Sequence, residues 1–325
     1  MLNHFECVNS IGTKSGLIRS LKQYYYTNQQ ARTCSYNVFD TTPTTFIVQA
    51  KFDDDKMQEL VARYKQLAKA NAPKERMPLK HCKQNLWLVK PTNLNQGRGI
   101  EIFSDLDKML AFINSKSAGS HFVVQKYIER PLLYKRRKFD IRVWALITTQ
   151  HEIWFYKQGY LRTSSSQYSL DSVDQFVHLT NQCLQIKNKD FYGCHEEGNT
   201  LSFSQFQEYL DSEEFRKSRP DLKKNQQVVM ERDLVPRMKD IIIDSYCAVK
   251  AETNPNRRRH HFELFGFDFM VDEDFRVWLI EVNSNPYIGT PNKFTEELIP
   301  AMIDEMLGLT LDPLYPPHPS YEPPR

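Results

Sequence analysis

The stretch FELFGFDFMVDEDFRVWLIEVNSNP, residues 262–286, reads as two apolar β-strands joined by an acidic turn at Asp272 to Phe275. Three polar residues interrupt the apolar pattern: Asp268, Glu281 and Asn283. Burying a lone charge is costly, so the aspartate inside Phe265-Gly266-Phe267-Asp268-Phe269-Met270 needs a partner. Glu281 breaks Val277-Trp278-Leu279-Ile280-Glu281-Val282 in the same way. Side chains alternate along a strand, which puts Glu281 and Asn283 on one face. Folding the hairpin about its turn brings Asp268 diagonal to Glu281 on that face, within ~8 Å. Two carboxylates and an amide oxygen on an otherwise dry sheet suit a hard cation. Magnesium commonly takes one or two carboxylates together with the phosphates of a nucleotide. The competing reading ties each acid to an arginine or to backbone amides.

The bulk properties narrow the class. A chain of 325 residues holds two ordinary domains or one large one. Charge is nearly balanced, 43 basic residues against 40 acidic, which predicts no nucleic-acid partner. Basic residues nevertheless cluster at Lys135-Arg136-Arg137-Lys138 and at Arg257-Arg258-Arg259-His260-His261. Such clusters favour an acidic ligand or surface, the alternative being a solvated loop. The cysteines (Cys7, Cys34, Cys82, Cys183, Cys194 and Cys247) form no C-x-x-C pair. That argues against a disulfide framework or a zinc site, and for a reducing compartment. The opening MLNHFECVNSIG lacks the regions of a signal peptide, and no apolar run is long enough to span a bilayer. The expectation is a soluble intracellular protein with no membrane partner.

Along the chain, residues 1–50 read as short mixed segments and residues 56–70 as the clearest surface helix. Residues 71–82, with Pro73 and Pro78, read as a linker and domain boundary. Strands follow at 86–90, 100–103, 121–128, 138–149 and 152–156. A short helix starts after Ser104, with Asp107 completing a capping box. Residues 211–233 read as a charged, mobile excursion and 237–250 as a helix. The last helical region, 295–307, should be kinked or restarted by Pro300. The tail, 312–325, holds six prolines and should be extended. Strands mixed with helices and an antiparallel hairpin argue an α+β fold rather than a doubly wound parallel sheet.

A magnesium nucleotide on the hairpin requires phosphate-binding groups elsewhere. Lys90 ends the strand 86–90, where a buried lysine needs an anion. The loop Asn95-Gln96-Gly97-Arg98-Gly99-Ile100 follows, and its glycines let backbone amides turn toward a phosphate chain. It is neither a P-loop nor a Rossmann fingerprint, and a plain turn is the alternative. Asp140 and Arg142 share one face of the strand, opposite Phe139, Ile141 and Val143. Arg162 lies just past the next strand. His178-Leu179-Thr180-Asn181 carries the hydroxyl and amide expected near a phosphate or cation. Taken singly, each of these is a surface or turn residue on the plainer reading.

As an ordered set the motifs resemble the tubulin tyrosine ligase family. The set comprises Lys90-Pro91, Gln96 to Ile100, Gln125-Lys126-Tyr127-Ile128, Lys138 to Arg142, Leu161 to Ser165, His178 to Asn181, Phe265 to Asp268 and Glu281-Val282-Asn283. Asn3-His4-Phe5 and Tyr36 to Asp40 extend the likeness, which covers roughly residues 3–310. The resemblance implies an ATP-grasp fold, with two α+β lobes clasping ATP. A reduced amino-terminal, substrate-side region (1–70) would precede a central lobe (71–135), a carboxy-terminal lobe with the magnesium site (136–311) and the proline-rich tail (312–325). It implies ATP-dependent attachment of a free amino acid to the acidic C-terminal tail of tubulin through an acyl phosphate, in the cytoplasm and on the cytoskeleton, cilium or basal body. No catalytic serine, cysteine or histidine is required. Carried onto this sequence, Lys90 and Lys126 become nucleotide-phosphate and nucleotide-pocket lysines, and Gln125 to Ile128 the strand that meets adenine. Gln96, Gly97, Arg98, Gly99 and Ile100 form the phosphate loop. Asp140 is a nucleoside-side contact, and Thr180 and Asn181 are nucleotide contacts. Arg142 and Arg162 meet the γ-phosphate and the acceptor carboxylate. Asp268, Glu281 and Asn283 are the magnesium ligands. Gln96 departs from the basic residue that many members carry, and the region before Met57 is short for the family. Leu161 to Ser165 and Phe265 to Asp274 favour tyrosine as the amino acid, with a polyglutamylase or glycylase next. A non-catalytic microtubule-binding relative and a small-molecule carboxylate–amine ligase are the readings from other classes.

Overall fold

The computed structural model describes residues 3–31, 36–52, 55–68, 84–94, 97–172, 174–223, 226–318 and 320–321. Four strands build a first antiparallel sheet: β1 (Thr45–Gln49), β2 (Trp87–Pro91), β3 (Glu101–Phe103) and β4 (His121–Lys126), in the order β1-β4-β2-β3. Alternation divides their side chains between two faces. Phe46, Val48, Trp87, Val89, Phe122 and Val124 bury against the helices Asp55–Ala68 and Leu106–Asn114. Leu88, Lys90 and Gln125 turn the other way and line a cleft.

Seven strands build a second antiparallel sheet: β5 (Leu133–Tyr134), β6 (Arg137–Thr148), β7 (Ile153–Phe155), β8 (Tyr160–Gln167), β9 (Thr200–Ser202), β10 (Phe262–Val271) and β11 (Val277–Asn283). The order is β11-β10-β6-β8-β9, with β5 and β7 also paired to β6. One face carries Phe139, Ile141, Val143, Leu161, Phe265, Phe267 and Phe269 into the main core, under helices Lys14–Gln30, Phe203–Asp211 and Val235–Cys247. On the opposite face Trp144 and Tyr160 meet helix Lys293–Thr310 at Leu298, Ile299 and Met302. Burying one phenylalanine is worth ~1.5–3 kcal/mol. A one-residue slip of β10 would expose three of them, so this register, and with it the face that carries Asp268, is strongly fixed. Mixed helices and antiparallel sheets agree with the α+β reading. Among the described residues, no helix is long and apolar enough to cross a membrane.

Several local expectations are corrected. Residues 1–50 contain a 17-residue helix, Lys14–Gln30, docked through Leu17, Leu21 and Tyr25. Helix Leu106–Asn114 is capped by Asp105, which accepts from Lys108 N at 2.8 Å, rather than by Ser104. Within the stretch read as a 211–233 excursion, the described residues bury Phe215, Val228 and Met230 and include helix Glu213–Ser218. Helix Lys293–Thr310 runs unbroken through Pro300. Pro300 and Glu296 both lie on its exposed side, so water can satisfy the carbonyl the proline strips of a donor. The tail opens with a turn instead of an extended run, Tyr315 N donating to Leu311 O at 2.9 Å. The linker assigned to 71–82 lies outside the described residues, as does Gln96.

Candidate functional site

The cleft runs between the two sheets, with an empty volume of about 820 Å³ counting its open mouth. The first sheet supplies Lys90, Gln125, Lys126 and Ile128, and the glycine loop supplies Gly97, Arg98 and Ile100. The second sheet and its loops supply Asp140, Thr180, Asn181, Asp268 and Glu281. Lys90 is buried, and its Nζ donates to Gln125 Oε1 at 2.7 Å. Gln125 is held in turn by Thr45, Nε2 to Oγ1 at 3.0 Å. An ammonium has three donors. Burial pulls the Lys90 pKa down to about 8, against the opposing pull of Glu281. Gly97 has φ +75°, and a Cβ there would stand 3.2 Å from Asn181 Oδ1, so the loop can lie against Asn181 only as glycine.

Register builds the charged floor. Asp268 pairs with Arg142 on β6 and with Glu281 on β11, while Asp140 pairs with Arg162 on β8. The sequence alone suggested a diagonal relation between Asp268 and Glu281. A bulge after Asp268, where Phe269 pairs with Leu279, instead sets the two acids directly opposite. Arg142 grips Asp268 through Nε (2.5 Å) and Nη2 (3.0 Å). Arg162 Nη2 reaches the same carboxylate at 2.9 Å while its Nε and Nη2 also grip Asp140, at 2.8 and 2.5 Å. Charges therefore alternate along Asp140–Arg162–Asp268–Arg142. Burial alone would push the Asp268 carboxyl up, but the two guanidiniums outweigh it and hold it well below the usual carboxylate range. Glu281 behaves oppositely. Burial, then the Asp268 charge beside it, push its carboxyl up, with Lys90 and Lys14 offsetting only part.

The arginine-paired alternative thus describes Asp268. Glu281 has no ion-pair partner among the described residues. Nor, among the described residues, is any group of three or more histidine, cysteine or acidic side chains placed to hold a metal. The donors at hand are two carboxylates and Asn283, whose Nδ2 lies 3.3 Å from Asp268 Oδ2. This set fits a hard divalent ion that keeps phosphate and water oxygens among its ligands, with Glu281 as the open ligand. Among the described residues Arg142 Nη1 is buried without a hydrogen-bond partner and so remains available as a donor.

Other expected residues sit differently. Tyr127 does not line the cleft; its hydroxyl meets His178 Nδ1 and Lys138 Nζ, each at 2.9 Å. Gly99 borders a neighbouring groove. Lys126 directs its ammonium to Glu129 and to Leu86 O. The sequence reading missed Lys14, which lines the cleft from the amino-terminal helix and donates to Leu94 O at 2.8 Å. It also missed Lys138 as a single residue. The basic run 135–138 hid that Arg137 and Lys138 are both buried, and burial pulls Lys138 down to about 7. Gly266 gives Arg142 its room: a Cβ there would come within 2.7 Å of Pro286 Cβ and 3.4 Å of Arg142 Cδ and Nε. Gly266→Ala is expected to destabilise the protein by ~1–3 kcal/mol, the usual cost of overpacking, and to displace Arg142. Urea unfolding checks this, and an unchanged midpoint would contradict it.

Two antiparallel sheets enclose a cleft with buried lysines on one wall and the carboxylates of Asp140, Asp268 and Glu281 on the other, which defines an α+β protein with a charged inter-sheet cleft. The whole-chain comparison narrows the class, because the tubulin-tyrosine ligase family model matches residues 1–319. The chain belongs to that family. It is 34% identical over 260 residues to tubulin glycylase 3B of Tetrahymena thermophila, covering 79% of this chain and 21% of the relative. Tubulin glycylase 3A of Drosophila melanogaster is 38% identical over 243 residues, covering 70% and 22%. Tubulin monoglycylase TTLL3 of Danio rerio is 34% identical over 239 residues, covering 70% and 29%. The match thus spans less than a third of the length of these relatives.

Proposed function

We propose that this protein is an ATP-dependent ligase that attaches glycine to tubulin on the cytoskeleton, its two sheets acting as the lobes of an ATP-grasp fold. One observation carries the reading: Lys90 faces the Asp268–Glu281 pair across a single cleft, and Asp268 is gripped from behind by Arg142 and Arg162. Bound there, ATP would supply the phosphoryl group that activates a carboxylate, and magnesium would neutralise phosphate oxygens.

The chain's own residues do the positioning. Lys90, with Lys14, would offset phosphate charge, and Gly97, Arg98, Ile100, Thr180 and Asn181 would flank the phosphate chain. Gln125, Lys126 and Ile128 would form the wall for adenine, with Tyr127 behind them, and Asp140 would face the nucleoside side. Asp268, Glu281 and Asn283 hold the ion. Arg142, locked by Asp268, offers Nη1 to an incoming carboxylate. Two anions must approach each other, so these guanidiniums matter more than any nucleophile.

Tyrosine, favoured by the motifs Leu161 to Ser165 and Phe265 to Asp274, gives way to glycine, because the relatives above are named glycylases. The test is ligation on purified tubulin with ATP and magnesium, using labelled glycine, glutamate and tyrosine in parallel. ATP-dependent glycine incorporation well above the other two is expected. Tyrosine incorporation exceeding glycine would overturn the choice of amino acid, and no incorporation of any would overturn the ligase reading.

A further inference from the structure

Of the two basic runs, only one is a surface. Arg137 and Lys138 are buried and partnered internally, so residues 135–138 form no continuous patch. Arg257, Arg258, Arg259 and His260 are all exposed, with exposed Lys250 close by in sequence. Their loop is held rigidly. Asn254 clamps Arg258 at both ends of its peptide, Oδ1 accepting from Arg258 N at 2.8 Å and Nδ2 donating to Arg258 O at 3.0 Å. Glu6 anchors Asn256 Nδ2 at 2.8 Å and Arg258 Nε at 2.7 Å. Arg257 and His260 adopt φ of +48° and +57°, uncommon for residues with a Cβ. Neither Arg257 nor Arg259 has an ion-pair partner among the described residues. The charges are therefore presented outward on a fixed frame.

Register places this loop far from the cleft. Phe262, just after it, pairs with Thr148, whereas Asp268 pairs with Arg142. Six residue steps of β10 separate the two, roughly 20 Å. We infer that the Arg257–His260 loop is a second anchoring point for a glutamate-rich polypeptide whose modified residue lies in the cleft. This rests on the ligase reading above. An extended chain advances ~3.4 Å per residue, so a segment engaging both ends needs about six residues between them. The loop Arg257–His260 itself carries no apolar side chain to insert into an anionic membrane beside its charges. A handful of cations also falls short of the phosphate contacts that dominate nucleic-acid binding.

The test compares the full-length protein with Arg257→Glu/Arg259→Glu, by fluorescence anisotropy with labelled oligoglutamate peptides of about four and about fifteen residues. The longer peptide should bind the native protein more tightly, and lose about tenfold in the double variant at low salt, a difference of 1.4 kcal/mol. The shorter peptide, and the thermal shift given by magnesium-ATP, should not change. Equal binding of the long peptide by both proteins overturns the inference. So does tighter binding of poly(U) or of phosphatidylserine vesicles that the same substitutions abolish. Failure of the native protein to ligate any amino acid to tubulin would sink the ligase reading separately, since the peptide-binding result does not depend on turnover.

Discussion

Glu281→Gln is expected to lose at least about a hundredfold in turnover, the scale of removing one preorganised charge from an active site, while making the ligand-free protein more stable. The reason is the environment of the carboxylate. Burial first, and the Asp268 charge opposite it second, hold the Glu281 pKa above its ordinary 4.5. A group raised on folding stabilises the fold when protonated, and that contribution disappears as pH rises through the folded pKa. The surroundings of Glu281 therefore disfavour its charged form. Glutamine keeps the shape and removes the charge, for a gain on the order of 1 kcal/mol. Thermal unfolding with and without magnesium-ATP separates the effects. The variant should melt higher alone and lose the cation-dependent shift. A variant that melts lower, or keeps both shift and turnover, would sink the assignment of Glu281 as the open metal ligand.

How much of this was legible in the sequence depends on which force set each feature. Strand alternation is local, so the faces of Asp268, Asp140 and Arg142 could be read from their neighbours alone. The partner of each charge could not, because it depends on which strands lie side by side. Arg142 and Asp268 are 126 residues apart in sequence yet adjacent in register. The bulge that places Glu281 squarely opposite Asp268 leaves no mark in an apolar run such as Trp278-Leu279-Ile280. Lys14 was invisible for a different reason. Its helix has a narrow apolar stripe among glutamines and tyrosines, and is stabilised by docking on the core rather than by intrinsic propensity. The basic run 135–138 misled because composition carries no information about which of four adjacent cations turn inward. The amino acid was beyond the motifs quoted, and glycine enters only through the relatives.

Asp268→Asn should be the most destabilising single change in the cleft, costing ~3–5 kcal/mol, the scale for leaving a buried charge without its partner. Asp268 is 2% exposed and accepts from Arg142 twice and from Arg162 once. Without its charge, Arg162 would keep Asp140 while Arg142 would lose the carboxylate it is paired with. An exposed pair such as Lys217–Glu213, by contrast, is worth roughly 0–1 kcal/mol. The pH dependence follows with a definite sign. The Asp268 carboxyl is held below its ordinary 3.8, so its contribution is fully present above that value and is lost as pH falls through the folded pKa. The native protein should therefore lose stability into acid more steeply than the asparagine variant. Urea unfolding at neutral and acidic pH measures both slopes. A second substitution sharpens the test. Arg142→Met in the Asp268→Asn background removes the stranded cation, and should recover part of the loss. If Asp268→Asn alone cost less than about 1 kcal/mol, or the added methionine made matters worse by its full single-variant cost, the alternating charges would not be acting as one network. Arg142 would then owe its position to the room beside Gly266 rather than to Asp268.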